Sequence, residues 1–539
     1  KSGTLLRFCH LIEGSTFDIG DQDTEVYFET SSNINTFIAP IIFENGQNRF
    51  ISNMQSAYYL GGGNAGYMSA LFLQRMTTNI RTDVVVVQSE DKGTIGVGEA
   101  VVPPVVHFMQ YFLGINLKDF ISKTKSTIKN GIKFENWNGD NTYYYHPFTP
   151  SKEYIEMFHI PGVMPTSCYA DYVKHGIYKN YNFHESHLGA MLSEQNKVSL
   201  NNLSYALHFD NFLVTEYFKN LCVERDIEII DDEYLDANLG EDGYIESLKL
   251  KELGDLECNF VFDCSGFARL IMNKKYNINW KVYKDLAVNE AIIFPKDTNP
   301  DDEIMSYTNS VAMKNGWVFE IPLRHRIGRG YIFDNDFTTT DDAIKEIEEK
   351  YGEVEVKKNI KFTGGRLEKF WHKNCIAVGL SSSFVEPLEA TSIMFTINQV
   401  LQLNNLKHAL YEKDNVNYIR EMYSKVMINS SDHIKDFIHF HYLGKRKDSV
   451  FWKSFRETYK SSDFVNYMVD AIKYGDYQHF MIDKNLSGVN FNNQGWLSVA
   501  YGLGMIETDK MIMRGIENLS PTIDDSVNLF KSVVETQSE

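Results

Sequence analysis

The sequence predicts an α/β fold in which a Rossmann-type box with a parallel sheet carries a mostly helical second module. Three observations in the 539-residue chain predict it. A glycine-rich segment stands between a strand-like and a helix-like run, a continuous β-branched run follows, and the texture becomes helical from Thr391 onward. Strands that alternate with helices are typical of βαβ units, so the first part of the chain is expected to form a parallel sheet.

The first βαβ unit begins just after Met54. Residues 56–60 (SAYYL) are short and apolar, and the segment GGGNAG follows at once. Residues 67–76 (YMSALFLQRM) carry apolar side chains at helical spacing, and residues 83–87 (DVVVV) are typical of a strand buried in a parallel sheet. The order strand, turn, helix, strand is therefore predicted.

Gly61, Gly63 and Gly66 match G-x-G-x-x-G in the context that a dinucleotide site requires. Such glycines permit a tight turn and the close approach of a pyrophosphate, which the following helix N-terminus attracts. The alternative is a glycine-rich turn that binds no ligand. Gln88 stands where an acidic ribose-binding residue is usual, with Glu90 two residues on, and an amide oxygen can still accept from a ribose hydroxyl. No second such motif follows a strand, so a bound flavin is expected to be reduced elsewhere.

Three later runs predict further strands, at residues 227–230 (IEII), 260–262 (FVF) and 375–378 (CIAV). The last two contain no charged residue and are predicted to be buried. After Thr391, apolar residues recur at three- and four-residue spacing, which predicts a long helix.

The composition excludes several classes of function. Lys and Arg number 53 and Asp and Glu 72, which gives a net charge of −19. This excludes sequence-independent binding to nucleic acid or to an anionic membrane, because both need a basic surface. Hydrophobic residues make up 43%, which is enough for a large core. Six cysteines without a C-x-x-C pair, and no apolar run near the roughly 18 residues of a membrane span, predict a cytoplasmic protein with no metal site.

Several separate segments together resemble the flavin-dependent tryptophan-halogenase family. They are GGGNAGY (61–67), IGVGEA (95–100), IKNGIKFENW (128–137), HFD (208–210), DCSG (263–266), GWVFEIP (316–322), GLSS (379–382) and EPLEATS (386–392). Their order and spacing match the family from about residue 54 to GLGM at 502–505. The combination is far more specific than any one motif.

The resemblance implies an FAD-binding, flavin-monooxygenase-like box that carries a helical module. It implies that reduced FAD, oxygen and a halide (chloride, bromide or iodide) give hypohalous acid, which crosses an internal tunnel to a catalytic lysine beside an aromatic small molecule. A separate NAD(P)H-dependent flavin reductase and a homo-oligomeric assembly are the expected partners. The alternatives are a flavin-dependent aromatic hydroxylase and a degenerate FAD-binding protein without turnover.

By position in the matching segments, the resemblance assigns the catalytic lysine to Lys129, its partner glutamate to Glu389, and the halide site to Thr391 and Ser392. It implies cofactor binding by Gly61, Gly63, Asn64, Ala65, Gly66, Gln88, Gly98, Glu99, Ala100, Asp263, Gly379 and Leu380. The implied substrate-binding residues are His146, Phe148, Trp317, Phe491 and Asn493.

Lys129 has an ordinary alternative, because Lys125, Lys129 and Lys133 would share one face of a helix as a solvated stripe. Burial lowers the pKa of a lysine by up to about 3–5 units, which would make a neutral amine accessible. A neutral lysine could form a haloamine, whereas an ammonium could activate hypohalous acid by hydrogen bonding. The residues leave both mechanisms open.

The chain departs from the family pattern at three places. Residues 390–392 read Ala-Thr-Ser where the family commonly has Ser-Thr-Gly, which leaves the preferred halide open. Phe319 replaces the second tryptophan of the W-x-W-x-I-P signature. Residues 481–488 (MIDKNLSG) lack the tyrosine and glutamate cluster that grips free tryptophan in the family. A small electron-rich arene, such as a phenol, an aniline or an indole, is therefore the expected substrate.

The motifs predict a division into modules. Residues 1–53 are an N-terminal arm of unknown role, and residues 54–400 form the FAD-binding box. Part of the substrate module is inserted into the box at about residues 140–205. Residues 401–539 form the helical module that covers the substrate.

Overall fold

The computed structural model describes residues 56–77, 82–90, 98–148, 205–299, 302, 304–410, 416–474, 490–491 and 493–505. The chain divides into two units, residues 1–53 and residues 54–539. The predicted N-terminal arm and most of the predicted insertion lie outside the described residues.

The secondary structure of the described residues is mixed. The strands are β1 (Ser56–Leu60), β2 (Asp83–Gln88), β3 (Gly98–Ala100), β4 (Thr127–Lys129), β5 (Gly131–Glu135), β6 (Tyr143–Pro147), β7 (Ala206–Asp210), β8 (Glu228–Asp231), β9 (Tyr234–Leu239), β10 (Ile245–Leu250), β11 (Gly254–Glu257), β12 (Phe260–Asp263), β13 (Trp280–Val282), β14 (Glu290–Ile293), β15 (Lys296–Asp297), β16 (Thr308–Ala312), β17 (Gly316–Pro322), β18 (Arg326–Phe333), β19 (Lys358–Lys361), β20 (Gly365–Leu367), β21 (Trp371–His372), β22 (Cys375–Ala377) and β23 (Ser383–Phe384). The α-helices are α1 (Asn64–Met76), α2 (Pro103–His107), α3 (Leu117–Thr124), α4 (Asn211–Glu224), α5 (Thr340–Tyr351), α6 (Thr391–Asn405), α7 (Asn417–His441), α8 (Val450–Thr458), α9 (Asp463–Tyr474) and α10 (Asn493–Gly502).

The predicted βαβ unit is confirmed and forms the centre of a six-stranded sheet of order β21-β22-β12-β1-β2-β8. Strands β22, β12, β1, β2 and β8 run parallel, and β21 is an antiparallel edge. The chain leaves β1 towards β2 and β8 and returns on the other side as β12, so the strand order reverses beside β1. In a parallel sheet a ligand crevice opens at such a switch point, beyond the carboxyl ends of the strands.

The glycine-rich turn lies at the carboxyl end of β1. Gly61 has a φ of +135°, and a Cβ there would lie 2.3 Å from the carbonyl oxygen of Cys264. A Cβ on Gly66 would lie 2.0 Å from the carbonyl oxygen of Gly61, so the turn and α1 pack backbone against backbone. A Cβ on Gly63 would meet no atom within 4 Å. Gly61 and Gly66 thus allow backbone segments to pack closely, whereas Gly63 faces open space.

An eight-stranded sheet forms the second layer, with the order β19-β14-β18-β17-β16-β5-β6 and with β15 paired to β18. Strand β17 (GWVFEIP) has six of its seven residues buried, as its aromatic and β-branched composition predicts. A three-stranded sheet has the order β3-β7-β4, and its strands come from residues 98–100, 206–210 and 127–129. These two sheets carry the predicted lysine and several predicted substrate residues.

The helical-stripe alternative for Lys129 is wrong. Helix α3 stops at Lys125, which is left-handed with a φ of 53°. The chain then turns into β4, which ends at Lys129 and pairs with β7, and Lys133 follows on β5. The three lysines do not share a helical face, because a helix end and two strands separate them.

The predicted long helix after Thr391 is confirmed as α6, and helices α7 to α10 follow it. One hydrophobic cluster takes in residues from α1, from the eight-stranded sheet and from these later helices. The predicted module boundary at residue 400 falls inside α6, and the division into modules stays a prediction. Among the described helices, none combines the length and apolarity that crossing a bilayer requires.

Replacing Gly66 by alanine is expected to lower the free energy of unfolding by about 1–3 kcal/mol or more, because the new methyl group meets a backbone carbonyl oxygen. Alanine in place of glycine inside an unobstructed helix would instead stabilise by about 1 kcal/mol, so the sign of the change is diagnostic. Denaturant unfolding measures it.

The matched control is Gly63→Ser at the N-cap of the same helix. Serine caps a helix well and its side chain enters open space, so stability should stay within about 0.5 kcal/mol of the parent. Equal losses in both variants would contradict this division between packing glycine and open glycine.

Candidate active site

A cavity of about 1140 Å³ opens at the carboxyl ends of the parallel strands. Its wall begins at the turn after β1 and reaches inward to Lys129. The predicted residues on this wall are Gly61, Gly63, Asn64, Ala65, Gln88, Gly98, Glu99, Ala100, Gly379, Leu380, Ser392, Lys129 and Trp317. One cavity therefore joins the predicted cofactor, halide and lysine positions.

At the outer end, the amide of Gln88 already has partners. Tyr67 donates its hydroxyl to Gln88 Oε1, and Gln88 Nε2 donates to Glu90 Oε1 at 3.3 Å. Lys219 holds the same Glu90 oxygen at 2.6 Å and lowers the pKa of that carboxyl. Glu90 also lines the cavity. Its carboxylate, held by Lys219, is a hydrogen-bond acceptor two residues beyond the predicted Gln88.

Asp263 ends β12 and is fully buried. Its carboxylate accepts from the backbone N–H groups of Ser265, Ile271 and Met272, the last two at 3.0 and 2.9 Å. It is not among the residues of the cavity wall. The carboxylate orders the segment after β12, and through it the wall at Cys264 to Ala268.

Glu99 and Asn64 reach the cavity from different elements. Glu99 lies on β3, and burial raises the pKa of its carboxyl to about 7. Asn64 opens α1, donates to Asn211 Oδ1 and accepts from Thr215 Oγ1 at 2.9 Å. These bonds tie the first turn of α1 to α4 and hold the helix N-terminus towards the cavity.

At the inner end, Lys129 is completely buried. Its Nζ has no hydrogen-bond partner among the residues that the structure describes. Burial lowers the pKa of this amine to about 7, and the negative charge of Glu389 opposes that effect only in part. The ring of Phe148 lies 5.3 Å from Nζ. The site therefore holds an amine that can be neutral near neutral pH.

Glu389 is 1% exposed and accepts hydrogen bonds from two imidazoles. His146 Nδ1 lies 3.0 and 3.1 Å from its two oxygens, and His441 Nε2 lies 2.8 Å from Oε1. Burial alone would raise the pKa of this carboxyl, but the two imidazoles outweigh it and lower the pKa to about 2. Glu389 is thus an ionised carboxylate.

Two of the predicted aromatic residues, His146 and Phe491, are connected through Phe437 in a wall beside this carboxylate. His146 packs edge-on against Phe437, with ring centroids 5.8 Å apart. Phe437 in turn stacks on Phe491, with centroids 3.9 Å apart and planes 24° apart. Phe148 completes the wall on the lysine side.

Trp317 lies on the cavity wall near Lys129 and is completely buried. Its Nε1 donates to Glu386 Oε1 at 3.1 Å, and the Tyr442 hydroxyl donates to the same oxygen. Burial raises the pKa of Glu386 to about 8, so this carboxyl is neutral at neutral pH. Phe319, which lines the cavity with Trp317, fills the position of the missing tryptophan.

The predicted halide residues open α6. The residue before them, Ala390, has a φ of 56° and supplies no side-chain cap. Thr391 is 3% exposed, and Ser392 reaches the cavity wall. Ser392 has helical backbone, so this position needs no positive φ, and the left-handed residue is Ala390 instead. The uncapped N–H groups of the first turn suit an anion.

Some predicted features lie outside the described residues. They are the side chain of Asn493, the segment IGV at 95–97 and the stretch 481–488. Asn493 itself begins α10.

Sequence reasoning missed three residues of the site: His441, Phe437 and Glu386. His433, Phe437 and His441 recur every four residues, so they share one face of α7. That spacing was a readable signal. Glu386 stands in the matching segment EPLEATS, where its burial could not be read from the sequence.

A family model described as tryptophan halogenase matches residues 58–515. The chain belongs to the tryptophan halogenase family. The 7-chloro-L-tryptophan 6-halogenase of Kutzneria sp. (strain 744) is 31% identical over 431 residues, which are 73% of this chain and 80% of that protein. The tryptophan 7-halogenase of Lentzea aerocolonigenes is 27% identical over 83% of this chain and 89% of that protein.

Solved structures agree with the family. A flavin-dependent halogenase from Brevundimonas sp. BAL3 has a TM-score of 0.73 and 25% identity, over 90% of this chain and 96% of that one. The predicted fold, an FAD-type Rossmann box with a helical module, is confirmed. The protein is an enzyme of the flavin-dependent halogenase class, which uses a flavin, a halide, an aromatic substrate and a separate flavin reductase. Halogenation is supported over aromatic hydroxylation and over a flavoprotein without turnover.

The buried amine should make folding dependent on pH. Because the pKa of Lys129 falls from 10.5 to about 7 on folding, the folded state binds fewer protons than the unfolded state between these values. The free energy of unfolding therefore rises with pH in this window. Below pH 7, burial of the Lys129 ammonium lowers it by up to about 5 kcal/mol.

We expect Lys129→Met to be more stable than the parent at pH 6.5, by a margin that shrinks by about 1.4 kcal/mol per pH unit up to pH 10. Denaturant unfolding at a series of pH values measures the margin. Lys123→Met is the control, because this lysine is exposed on α3. A margin that is constant with pH would contradict the burial of a deprotonated amine.

Proposed function

We propose that this halogenase uses reduced FAD and oxygen to halogenate an electron-rich aromatic small molecule, and that Lys129 delivers the halogen. The observation that carries the proposal is a buried amine without a hydrogen-bond partner among the described residues. It lies on the same cavity as the dinucleotide turn, beside an ionised carboxylate.

The described residues fit FAD. The open face of Gly63 and the N-terminus of α1 suit the pyrophosphate, since a helix N-terminus attracts an anion. Glu90, which Lys219 fixes, suits the adenosine ribose better than Gln88, whose amide is already engaged. The backbone around Gly379 and Leu380 completes the wall towards the lysine.

When bound, reduced FAD supplies hypohalous acid from oxygen and halide. The neutral Lys129 amine attacks the halogen, so that an N–halogen bond forms while the oxygen–halogen bond breaks, and the proton of the amine and the released hydroxide make water. The arene then takes the halogen, and its displaced proton restores the amine. A pKa near 7 favours this haloamine mechanism over activation by an ammonium, because a substantial fraction of the amine is neutral.

Glu389 is suited to an electrostatic role. With a pKa of about 2 it is a weak base, and its negative charge holds the rings of His146 and His441 in place. The uncapped N–H groups at Thr391 and Ser392 would hold the halide.

The substrate is proposed to be a flat arene without an amino-acid head group, such as a phenol, an aniline or an indole. His146, Phe148 and Phe491 offer ring faces and edges, each worth about 0.5–1.5 kcal/mol beyond burial. Residues 481–488 lack the tyrosine and glutamate cluster expected of a free-tryptophan site. The named relatives act on tryptophan or chlorotryptophan, so tryptophan is the comparison substrate. A homo-oligomer and a cytoplasmic location stay predictions.

The test of the function is a panel of arenes, with tryptophan included, incubated with the protein, FAD, a flavin reductase and chloride, bromide or iodide. We expect a halogen isotope pattern in the mass spectrum of at least one arene. Gain of one oxygen without dependence on halide would instead identify a hydroxylase.

Lys129→Ala should reduce halogenation by at least about 100-fold, because the group that accepts the halogen is lost. FAD affinity should change little. Lys123→Ala is the control, since its ammonium is exposed on α3. Full halogenation by Lys129→Ala would refute the role of this lysine.

Glu90→Gln should weaken FAD binding about 10-fold, because a hydrogen bond to a charged acceptor contributes about 1.5–3 kcal/mol. Gln88→Ala should weaken it less. Quenching of FAD fluorescence in a titration gives both dissociation constants, and Glu228→Gln on exposed β8 is the control. A larger loss of FAD affinity for Gln88→Ala would indicate that Gln88, rather than Glu90, binds the ribose.

A further inference from the structure

His441 is the last residue of α7 and is buried, with 1% of its surface exposed. Its Nδ1 lies 2.8 Å from the carbonyl oxygen of Phe437, and its Nε2 lies 2.8 Å from Glu389 Oε1. A carbonyl oxygen only accepts, so Nδ1 carries a proton. A neutral imidazole has only one such proton, so Nε2 faces the carboxylate as a donor only if the ring is doubly protonated.

The alternative is that Glu389 carries the proton and donates to Nε2. The geometry disfavours this, because His146 Nδ1 lies 3.0 and 3.1 Å from the two oxygens of Glu389 and makes both of them acceptors. The proton therefore belongs to His441, and the pair is an imidazolium and a carboxylate in direct contact. Such a pair is stable in the interior because each charge compensates the other.

His146 does not need a charge. Its Nδ1 donates to Glu389, and that bond is complete for a neutral ring with its proton on Nδ1. The two imidazoles around one carboxylate are therefore not equivalent. The bond that His441 Nδ1 donates to the carbonyl oxygen of Phe437 makes the difference.

Lys129 is the other cationic group near this carboxylate, and its Nζ makes no hydrogen bond to Glu389 or to another described residue. Glu389 would favour the ammonium if its charge were free, as its effect on the pKa of Lys129 indicates. A carboxylate that is already neutralised by an imidazolium attracts the ammonium less.

We propose that His441 is a positioning residue that, as an imidazolium, neutralises Glu389 and so keeps Lys129 an uncharged amine. His441 thereby selects the haloamine mechanism over activation by an ammonium. The charge that we assign to Lys129 does not depend on the proposed function. Only the statement that the neutral amine accepts the halogen rests on it.

Within the part of the chain that the structure describes, five titratable groups form or face this cluster. His146 and Tyr144 lie on β6, His441 on α7, Glu389 before α6, and Lys129 on β4. The pKa of Tyr144 lies well above its usual value, through burial first and then through Glu389, so this phenol stays neutral. The balance of charge is thus set among His441, Glu389 and Lys129.

The test is the pH dependence with which Lys129 reacts with cyanate, followed by mass spectrometry of its peptide in the protein without flavin, halide or substrate. Cyanate is small, and Lys129 lines the cavity. The parent should show half-maximal reactivity near pH 7. In His441→Gln the half-point should rise by at least one pH unit, which is a loss of rate of at least about fivefold at pH 7 and about tenfold well below pH 7.

The double variant His441→Gln/Glu389→Gln should return the half-point to the parent value or below it, because no uncompensated carboxylate remains. A purely structural role of His441 would not give this reversal. Exposed Lys123, labelled in the same samples, should react alike in all variants. An unmoved half-point in His441→Gln, or a rise in His146→Gln instead, would overturn the proposal.

A measurement on the parent protein covers the case in which the variants do not fold. Nitrogen-15 spectra of histidine-labelled protein at pH 7.5 should show one buried ring with protons on both nitrogens. The absence of such a ring would overturn the proposal. If the cyanate half-point moves but the pH profile of halogenation does not, the charge role of His441 stands and the role of Lys129 in catalysis fails.

Discussion

The cost of taking the Lys129 ammonium out of water is the constraint on which this site depends. A buried amine without a partner is unfavourable as a cation, so it tends to lose its proton rather than keep its charge. A large hydrophobic cluster joins the six-stranded and eight-stranded sheets to the later helices. Its burial offsets the free-energy cost of burying this amine. Reactivity and instability at this position have the same physical origin.

The architecture divides its tasks between sheets. The six-stranded sheet places the carboxyl ends of its parallel strands around the outer cavity, where a glycine-rich turn and a helix N-terminus are suited to an anionic ligand. Strand β4 carries the amine, the segment before α6 carries the carboxylate, and β6 and α7 place the imidazoles of His146 and His441 against that carboxylate. The glycine-rich turn and Lys129 line the same cavity, whereas Glu389 and His146 do not line it.

Much of the fold followed from local pattern. The first βαβ unit was predictable because the apolar runs and the spacing of Gly61 and Gly66 act over a few residues. Lys129 was harder, because three lysines at four-residue spacing favour a helix, and only the left-handed Lys125 and the pairing of β4 with β7 show a strand. The contacts of Glu389 could not be read from the sequence. They join residues 243 positions apart for His146 and 52 positions apart for His441.

By itself, the sequence determined the βαβ unit, the glycine-rich turn and the family, because each depends on residues close together or on motifs in fixed order, and the roles of Lys129 and Glu389 stay predictions. The tertiary structure decided the charges. The lowered pKa of Lys129, the contacts of Glu389 with two imidazoles and the bond between Gln88 and Glu90 depend on burial and on tertiary contacts. Protonation follows from the surroundings of a group, and only folding creates those surroundings.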